Sequence, residues 1–411
     1  MYRNIHHIAP YLLSGLFLLF ALSTKGQTAS LLGEFDYKID STQVKELAIE
    51  IDNVSFLKDN EYTGQVMKGY SLPGFWLQLN AVYQPLKYLK LELGAHGLVY
   101  SGAYKYPSYA YHDIAKWKGN QYQRGSHILP FLRAQLQLKN WQLVFGDIYG
   151  SVYHKLITPL YNPELHLTAD PEAGFQAIYD SKHFHFDTWV NWQSFIFDID
   201  SHQEAFTIGM ASEFHFNDIK DPVHMYIPFQ IIGQHRGGEQ DTITINSVQT
   251  LCNGAIGFGV KWNLNRKIVK EVNVEADALM HYQQAGKLWP KDTGFGAYAK
   301  ASVKFSNGIY TEGGYFIGKD FNSLYGIPYY GSVSLRDEGT YFKRPQTFFF
   351  SVDYARKFAK RYAFGVKADV YYFCPQGAFN AEGPIDATKN TSFSVGIFLR
   401  ANPRFLIKKF K

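Results

Sequence analysis

Residues 256–308 read IGFGVKWNLNRKIVKEVNVEADALMHYQQAGKLWPKDTGFGAYAKASVKFSNG. Ile256, Phe258, Val260, Trp262 and Leu264 interleave with Gly257, Gly259, Lys261 and Asn263. Val272, Val274, Ala276, Ala278 and Met280 do the same with Asn273, Glu275, Asp277, Leu279 and His281. A third run, Phe295 to Phe305, places Ala297, Ala299, Ala301 and Val303 against Gly296, Tyr298, Lys300, Ser302 and Lys304. Side chains on a strand point alternately to its two faces, so a period of two marks a strand with one apolar face. The connections alternate as well. Leu264 to Lys267 and Ser306-Asn307-Gly308 are tight, whereas 285–293 is long and polar.

The same pattern extends over the chain. Phe75 to Tyr83, Leu89 to Ala95, Phe348 to Tyr354 and Tyr362 to Tyr372 alternate in the same way. Further tight links fall at Pro85-Leu86, Lys139-Asn140, Ser181-Lys182, Asn217 to Asp221 and Lys357 to Lys360. Long connections at 102–126, 154–172, 197–203, 237–248, 321–344 and 376–389 separate them. Runs of about 9 to 12 residues suit a tilted strand that crosses a bilayer. Fifteen strands between about Tyr70 and Arg400, with a weaker one at Glu46 to Phe56, predict sixteen; fourteen and eighteen stay open. An even number returns both termini to one side, and closure removes the unpaired edges that lipid does not tolerate.

The first 26 residues read as a secretory signal: Arg3, an apolar core from Tyr11 to Leu22, and a small, polar exit at Ser23 to Gln27. No later apolar run is long enough for a membrane-spanning helix. Mean hydropathy is −0.23, while 33 Phe, 30 Tyr and 7 Trp make aromatics 17% of the chain. A barrel accounts for both, because alternate residues alone meet lipid and aromatic girdles mark its two interfaces. Net charge is +5, or +3 once Arg3 and Lys25 leave with the signal, too mild to indicate a nucleic-acid partner.

Signal segment, loop asymmetry and aromatic amphipathic strands together resemble the porin-type outer-membrane β-barrels of Gram-negative bacteria. The resemblance implies a closed, all-β, antiparallel up-and-down barrel in the outer membrane, with short periplasmic turns and longer outer loops. The chain then divides into a signal peptide (1–26), a periplasmic segment (27–44), a transmembrane barrel (45–402) and a short basic tail (403–411). Such barrels commonly finish on an aromatic residue, whereas this chain ends Lys408-Lys409-Phe410-Lys411. Phe410 takes that role, or the last strand ends earlier.

Parity assigns Lys90, Glu92, Arg133, Lys261, Glu275, Asp277, Lys300, Lys304, Glu312, Asp353, Lys367 and Asp369 to the lumen. Such charges line a pore, or brace neighbouring strands through opposite signs. A one-residue slip would reverse any one strand's set. Tyr104, Tyr106, Tyr109 and Tyr111 form a candidate glycan-contacting loop, with an interfacial girdle as the plainer reading. Leu160 to Glu172 carries Glu164, His166, Asp170 and Glu172, a candidate constriction folded into the mouth; 321–344 is a second. The sequence has no G-x-S-x-G, no H-E-x-x-H and no phosphate-binding glycine loop. His183, His185, His215, His224 and His281 lie on or near strands without a serine suitably placed. No cofactor or metal is implied. Cys252 and Cys374 fall five strands apart, which predicts two free thiols.

The functional expectation is a porin-like channel for small hydrophilic solutes, among them oligosaccharides, with outer-membrane lipid as its surroundings. Two alternatives are an occluded barrel that attaches or assembles a surface polysaccharide or partner, and, less favoured, a barrel hydrolase.

Overall fold

The computed structural model describes residues 37–103, 123–195, 203–238, 248–337, 339–359 and 361–411. The segment expected to be a signal and Tyr104, Tyr106, Tyr109 and Tyr111 lie outside them. Thirteen strands follow one another: β1 (Glu46–Glu61), β2 (Tyr70–Leu86), β3 (Leu89–Ala103), β4 (Gln123–Leu138), β5 (Trp141–Asp147), β6 (Ala173–Asp180), β7 (Phe184–Ser194), β8 (Ala205–His215), β9 (Val223–Arg236), β10 (Gln249–Asn263), β11 (Val269–Ala285), β12 (Thr293–Phe305) and β13 (Ile309–Lys319). The rest are β14 (Tyr341–Arg344), β15 (Gln346–Ala359), β16 (Tyr362–Phe373), β17 (Gln376–Asn380), β18 (Gly383–Ile385), β19 (Asn390–Ala401) and β20 (Arg404–Lys409).

Each of β1 to β12 pairs antiparallel with the next; β13 passes to β15, β15 to β16 and β16 to β19. β19 then returns to β1, Asn53 opposite Ala401 and Glu61 opposite Phe393. The result is a closed barrel of sixteen strands, with β14, β17 and β18 forming a small separate sheet. Alternation holds around the wall: Leu93 is 64% exposed and its neighbour Glu92 only 5%. An apolar exterior on a sheet closed into a ring is the porin-type outer-membrane architecture. Cys252 on β10 and Cys374 just after β16 are free thiols, as expected.

The last nine residues are held against the wall. Arg404 to Lys409 continue the final strand past Pro403 and pair with the start of β1, Glu46 opposite Lys409. Charge supplies the reason. Arg404 binds Glu46 at 2.9 Å and Glu50 at 3.2 Å, and Lys409 reaches Glu46 at 3.1 Å. Phe410 then donates its N–H to the Lys45 carbonyl and packs edge-on to Tyr83.

β5 and β6 are short, at seven and eight residues, because the chain between them leaves the wall for the lumen. Arg133 of β4 turns it inward: Nε donates to the Asp147 carbonyl at 2.6 Å and Nη2 to that of Ile148 at 3.2 Å. Gly146 makes the exit sterically feasible. Its φ is +86°, and a Cβ there would stand 2.1 Å from the Leu132 carbonyl oxygen. A side chain at this site meets both a clash and a left-handed backbone, each costing on the order of 1–3 kcal/mol. Gly146→Ala is expected to lower the urea midpoint of the purified barrel by an amount equivalent to about 2 kcal/mol or more. Heat-modifiable gel mobility reads this directly, and an unchanged midpoint would mean the exit is not strained.

Candidate active site inside the barrel

Two segments fill the lumen. The first, 148–172, contains a 3₁₀ turn (Ser151–His154) and a one-turn helix, α1 (Leu165–Thr168). The second is 320–340. They hold each other: Asn162 N–H donates to the Tyr325 carbonyl at 2.6 Å, and Ile327 N–H to that of Thr158 at 3.0 Å. Tyr325 reaches the wall at Thr207, 2.8 Å away, and Thr158 reaches Tyr298 at 3.1 Å. From the other end of the chain, Tyr37 enters the barrel, its hydroxyl donating to the Tyr153 carbonyl at 2.7 Å.

All four residues of the candidate constriction lie on the first segment. Glu164 is buried and accepts from Lys58, Tyr70 and, at 3.2 Å, Asn60. His166 sits edge-on between Trp76 and Tyr153. Burial, with a smaller push from Arg400, drives its pKa down to about 3, so the ring is neutral. Asp170 and Glu172 end the segment where it rejoins the wall at β6.

Glu172 organises a second group. One carboxylate oxygen accepts the Ser151 N–H at 2.7 Å; the other faces His154 Nε2 at 3.3 Å. His154 Nδ1 lies 2.8 Å from Asp187 of β7. The imidazole is stacked flat on Trp189, centroids 3.4 Å apart at 9°, and Trp189 fits because residue 209 opposite is glycine: a Cβ there would stand 2.0 Å from the indole. Ser151 has φ +61°, unusual for a residue with a side chain and a store of strain. Its Oγ is buried against the Tyr161 phenol, whose hydroxyl it meets. A strained serine, one turn from a histidine braced by an aspartate, supplies the residue types of a nucleophile, a base and an orienting acid.

Ser151 also borders two cavities of the lumen. One, about 90 Å³, is lined by Trp76, His96, Arg133, Ser151, His166 and Glu172 among others. The other, about 210 Å³, adds Lys58, Glu164, Asp353, Lys367 and Asp369. Both fall below the roughly 300 Å³ at which ligand pockets begin.

The wall charges assigned by parity form pairs. Glu92 takes Lys90 at 2.9 Å and Arg133 at 3.6 Å; Glu275 takes Lys300 at 2.9 Å; Lys367 takes Asp369 at 3.4 Å. Asp277 is buried next to Glu275, and Glu312 accepts from Tyr310 at 2.8 Å. In the cross-strand register Lys261 stands opposite Asn273, Lys304 opposite Glu271, and Asp353 opposite Lys367. The parity reading did not single out Ser151 or His154, because the search for a histidine was confined to strands. A Ser-x-x-His spacing in a loop otherwise rich in prolines and acids was the available signal.

Residues 39–410 match the family model described as Lipid A 3'-O-deacylase-type. No curated protein matches the chain. Among solved structures, it is similar to OpdK of Pseudomonas aeruginosa with vanillate, at 9% identity and a TM-score of 0.49, covering 88% of this chain and 100% of that one. It is similar to OpdQ of the same organism at 11% and 0.45, with 88% and 100% covered. OmpT of Vibrio cholerae gives 11% and 0.42, with 87% and 97% covered.

The His154 clasp makes the infolded segment sensitive to pH. Burial alone would lower the pKa of His154, but the Asp187 and Glu172 carboxylates outweigh it and raise the value to about 9. A raised folded-state pKa stabilises fully below the unfolded value of about 6.5 and is lost as pH climbs through about 9. Hydrogen exchange of 148–172 is therefore expected to be slow at pH 6 and markedly faster at pH 9.5. Glu172→Gln should move that loosening to lower pH. Equal protection at both pH values would remove the clasp from the account.

Proposed function

The chain belongs to the lipid A 3'-O-deacylase-type family, and on that premise we propose that it hydrolyses an acyl ester of lipid A in the outer membrane. The observation that carries this reading is Ser151: a strained serine with a buried Oγ, three residues before His154, whose ring pairs with Asp187. Ser151 Oγ attacks the ester carbonyl carbon while His154 Nε2 takes its proton. Asp187 holds the ring through Nδ1 and stabilises the imidazolium. The sugar hydroxyl leaves with that proton, and the acyl chain stays on Ser151. Water, deprotonated by His154, then releases the fatty acid and restores the serine.

His154 must be neutral to accept a proton, and its two carboxylate neighbours keep it protonated up to about pH 9. The rate should climb through an alkaline limb near that value. Removing one negative neighbour with Glu172→Gln should shift the limb toward neutrality, because an imidazolium with one carboxylate partner loses its proton more readily. A pH–rate series on lipid A vesicles checks both. A limb that stays in place in the variant would show that Glu172 does not set the base.

Ser151→Ala is expected to reduce deacylation by about 10³-fold or more, read by mass spectrometry of the lipid A product. Full activity in this variant would overturn the serine mechanism. A second reading, slow passage of small hydrophilic solutes, is favoured by the charged 210 Å³ cavity with Lys58, Glu164, Lys367 and Asp369 on its walls. On the hydrolase reading the infolded segments close the lumen, so purified protein in a planar bilayer should show no conductance steps that scale with salt. Stable steps would support passage instead.

A further inference from the structure

A lumen site poses an access problem, since the substrate's acyl chains lie in the membrane outside the wall. The wall itself offers an opening. β5 has seven residues, about 23 Å of strand and roughly 17 Å of height at a tilt near 45°. That is less than the apolar band of about 25 Å typical of such barrels. β4 next to it has sixteen residues.

Among the described residues, β4 pairs with β5 only from Arg133 to Leu138. Its outer stretch, 123–132, pairs with β3 alone. On the far side of the gap, β7 pairs with β6 only up to Asn191. Between these edges the β5–β6 ladder ends at Asp147 and Ala173, with one more backbone bond from the Ile148 N–H to the Glu172 carbonyl at 2.8 Å. The gap lies at membrane depth. Ile128 is 78% exposed and Leu132 59%, so the lipid-facing surface of β4 climbs well above the point where β5 ends. An unpaired strand edge in hydrocarbon is costly unless something occupies it. Two features ease that cost: Pro130 has no N–H to leave unpaired, and Asp147 accepts the first unpaired amide, that of Leu132, at 2.6 Å.

Behind the gap is the site. Glu172, which accepts the Ser151 N–H, immediately precedes Ala173, the first residue of β6 and part of the sill. Ser151 thus stands at the height of the opening, one hydrogen bond inside it. The 90 Å³ cavity next to it contains the Trp76 indole, 4% exposed, whose N–H has no partner.

We infer that the notch above β5 and β6 is a lateral door through which an ester-linked acyl chain of an outer-leaflet lipid reaches Ser151. This rests on the hydrolase reading and adds the route to it. The occupant follows from continuity: the notch interrupts a lipid-facing surface, so what meets it is outer-leaflet lipid. A lipid entering sideways keeps most of its chains in the bilayer, whereas entry from the aqueous mouth would draw them all into water, at about 0.8 kcal/mol per CH₂ exposed.

The test blocks the door in a barrel that is already folded. Ala173→Cys is made with Cys252→Ser and Cys374→Ser, and the same sample is assayed before and after reaction with a bulky maleimide. Substrates are lipid A in vesicles and a short water-soluble ester. Labelling is expected to cut vesicle activity at least tenfold while hydrolysis of the soluble ester is unchanged. Retained vesicle activity after complete labelling would overturn the door and leave the hydrolase reading intact. Parallel loss of both activities would also overturn it, because the label would then have damaged the site. An unlabelled protein that cleaves neither substrate would overturn the hydrolase reading itself.

Discussion

A backbone amide in hydrocarbon has no water to bond, so every strand of a membrane-spanning sheet needs a partner on both sides. That constraint closes the sixteen strands into a ring, from β1 through β19 and back. It also explains the C-terminus. β1 begins at Glu46, lower than β19 reaches, and Arg404 to Lys409 supply the missing partner. The constraint is relaxed at one place among the described residues, β5 and β6, where seven- and eight-residue strands leave their neighbours' outer edges without a pair. The chain released there is the segment that fills the lumen and carries Ser151, so the gap in the wall and the group inside it arise from one departure of the backbone at Asp147.

Inside, charge replaces hydrocarbon as the organising force. Glu164 is buried and would be costly alone; Lys58, Tyr70 and Asn60 converge on it. His154 is clasped between Asp187 and Glu172 and lies on Trp189. Such contacts fix the infolded segment at several points along its length, and a rigid segment can keep Ser151 in a left-handed conformation that it would not otherwise hold. The same segment lines cavities of about 90 and 210 Å³. Bracing between neighbouring strands is what some of the wall charges do, as the pairs Glu275–Lys300 and Glu92–Arg133 illustrate.

The fold was legible in the sequence because a period of two, repeated between tight and long links, has few other physical meanings. Phe75, Leu79, Ile256 and Phe295 face out and their neighbours face in, so parity alone sorted the faces. The site was not legible to the same degree. Parity assigns a face to a strand residue such as Asp187, but nothing to Ser151 or His154, whose positions depend on how a loop packs against walls distant in sequence. That loop's prolines and acids announced an ordered, inward-folded segment, yet the partners of Glu164 and Glu172 became visible only in three dimensions. The partners of the basic C-terminal residues were hidden for a similar reason: they are Glu46 and Glu50, more than 350 positions earlier.

The central claim is that the barrel holds a serine nucleophile driven by His154. Reaction of the purified barrel with a lipophilic fluorophosphonate, followed by peptide mapping, tests it most directly. The account predicts a single adduct on Ser151 that forms faster as pH rises toward 9 and is absent in His154→Ala. No adduct, or one on another residue that persists without His154, would contradict it.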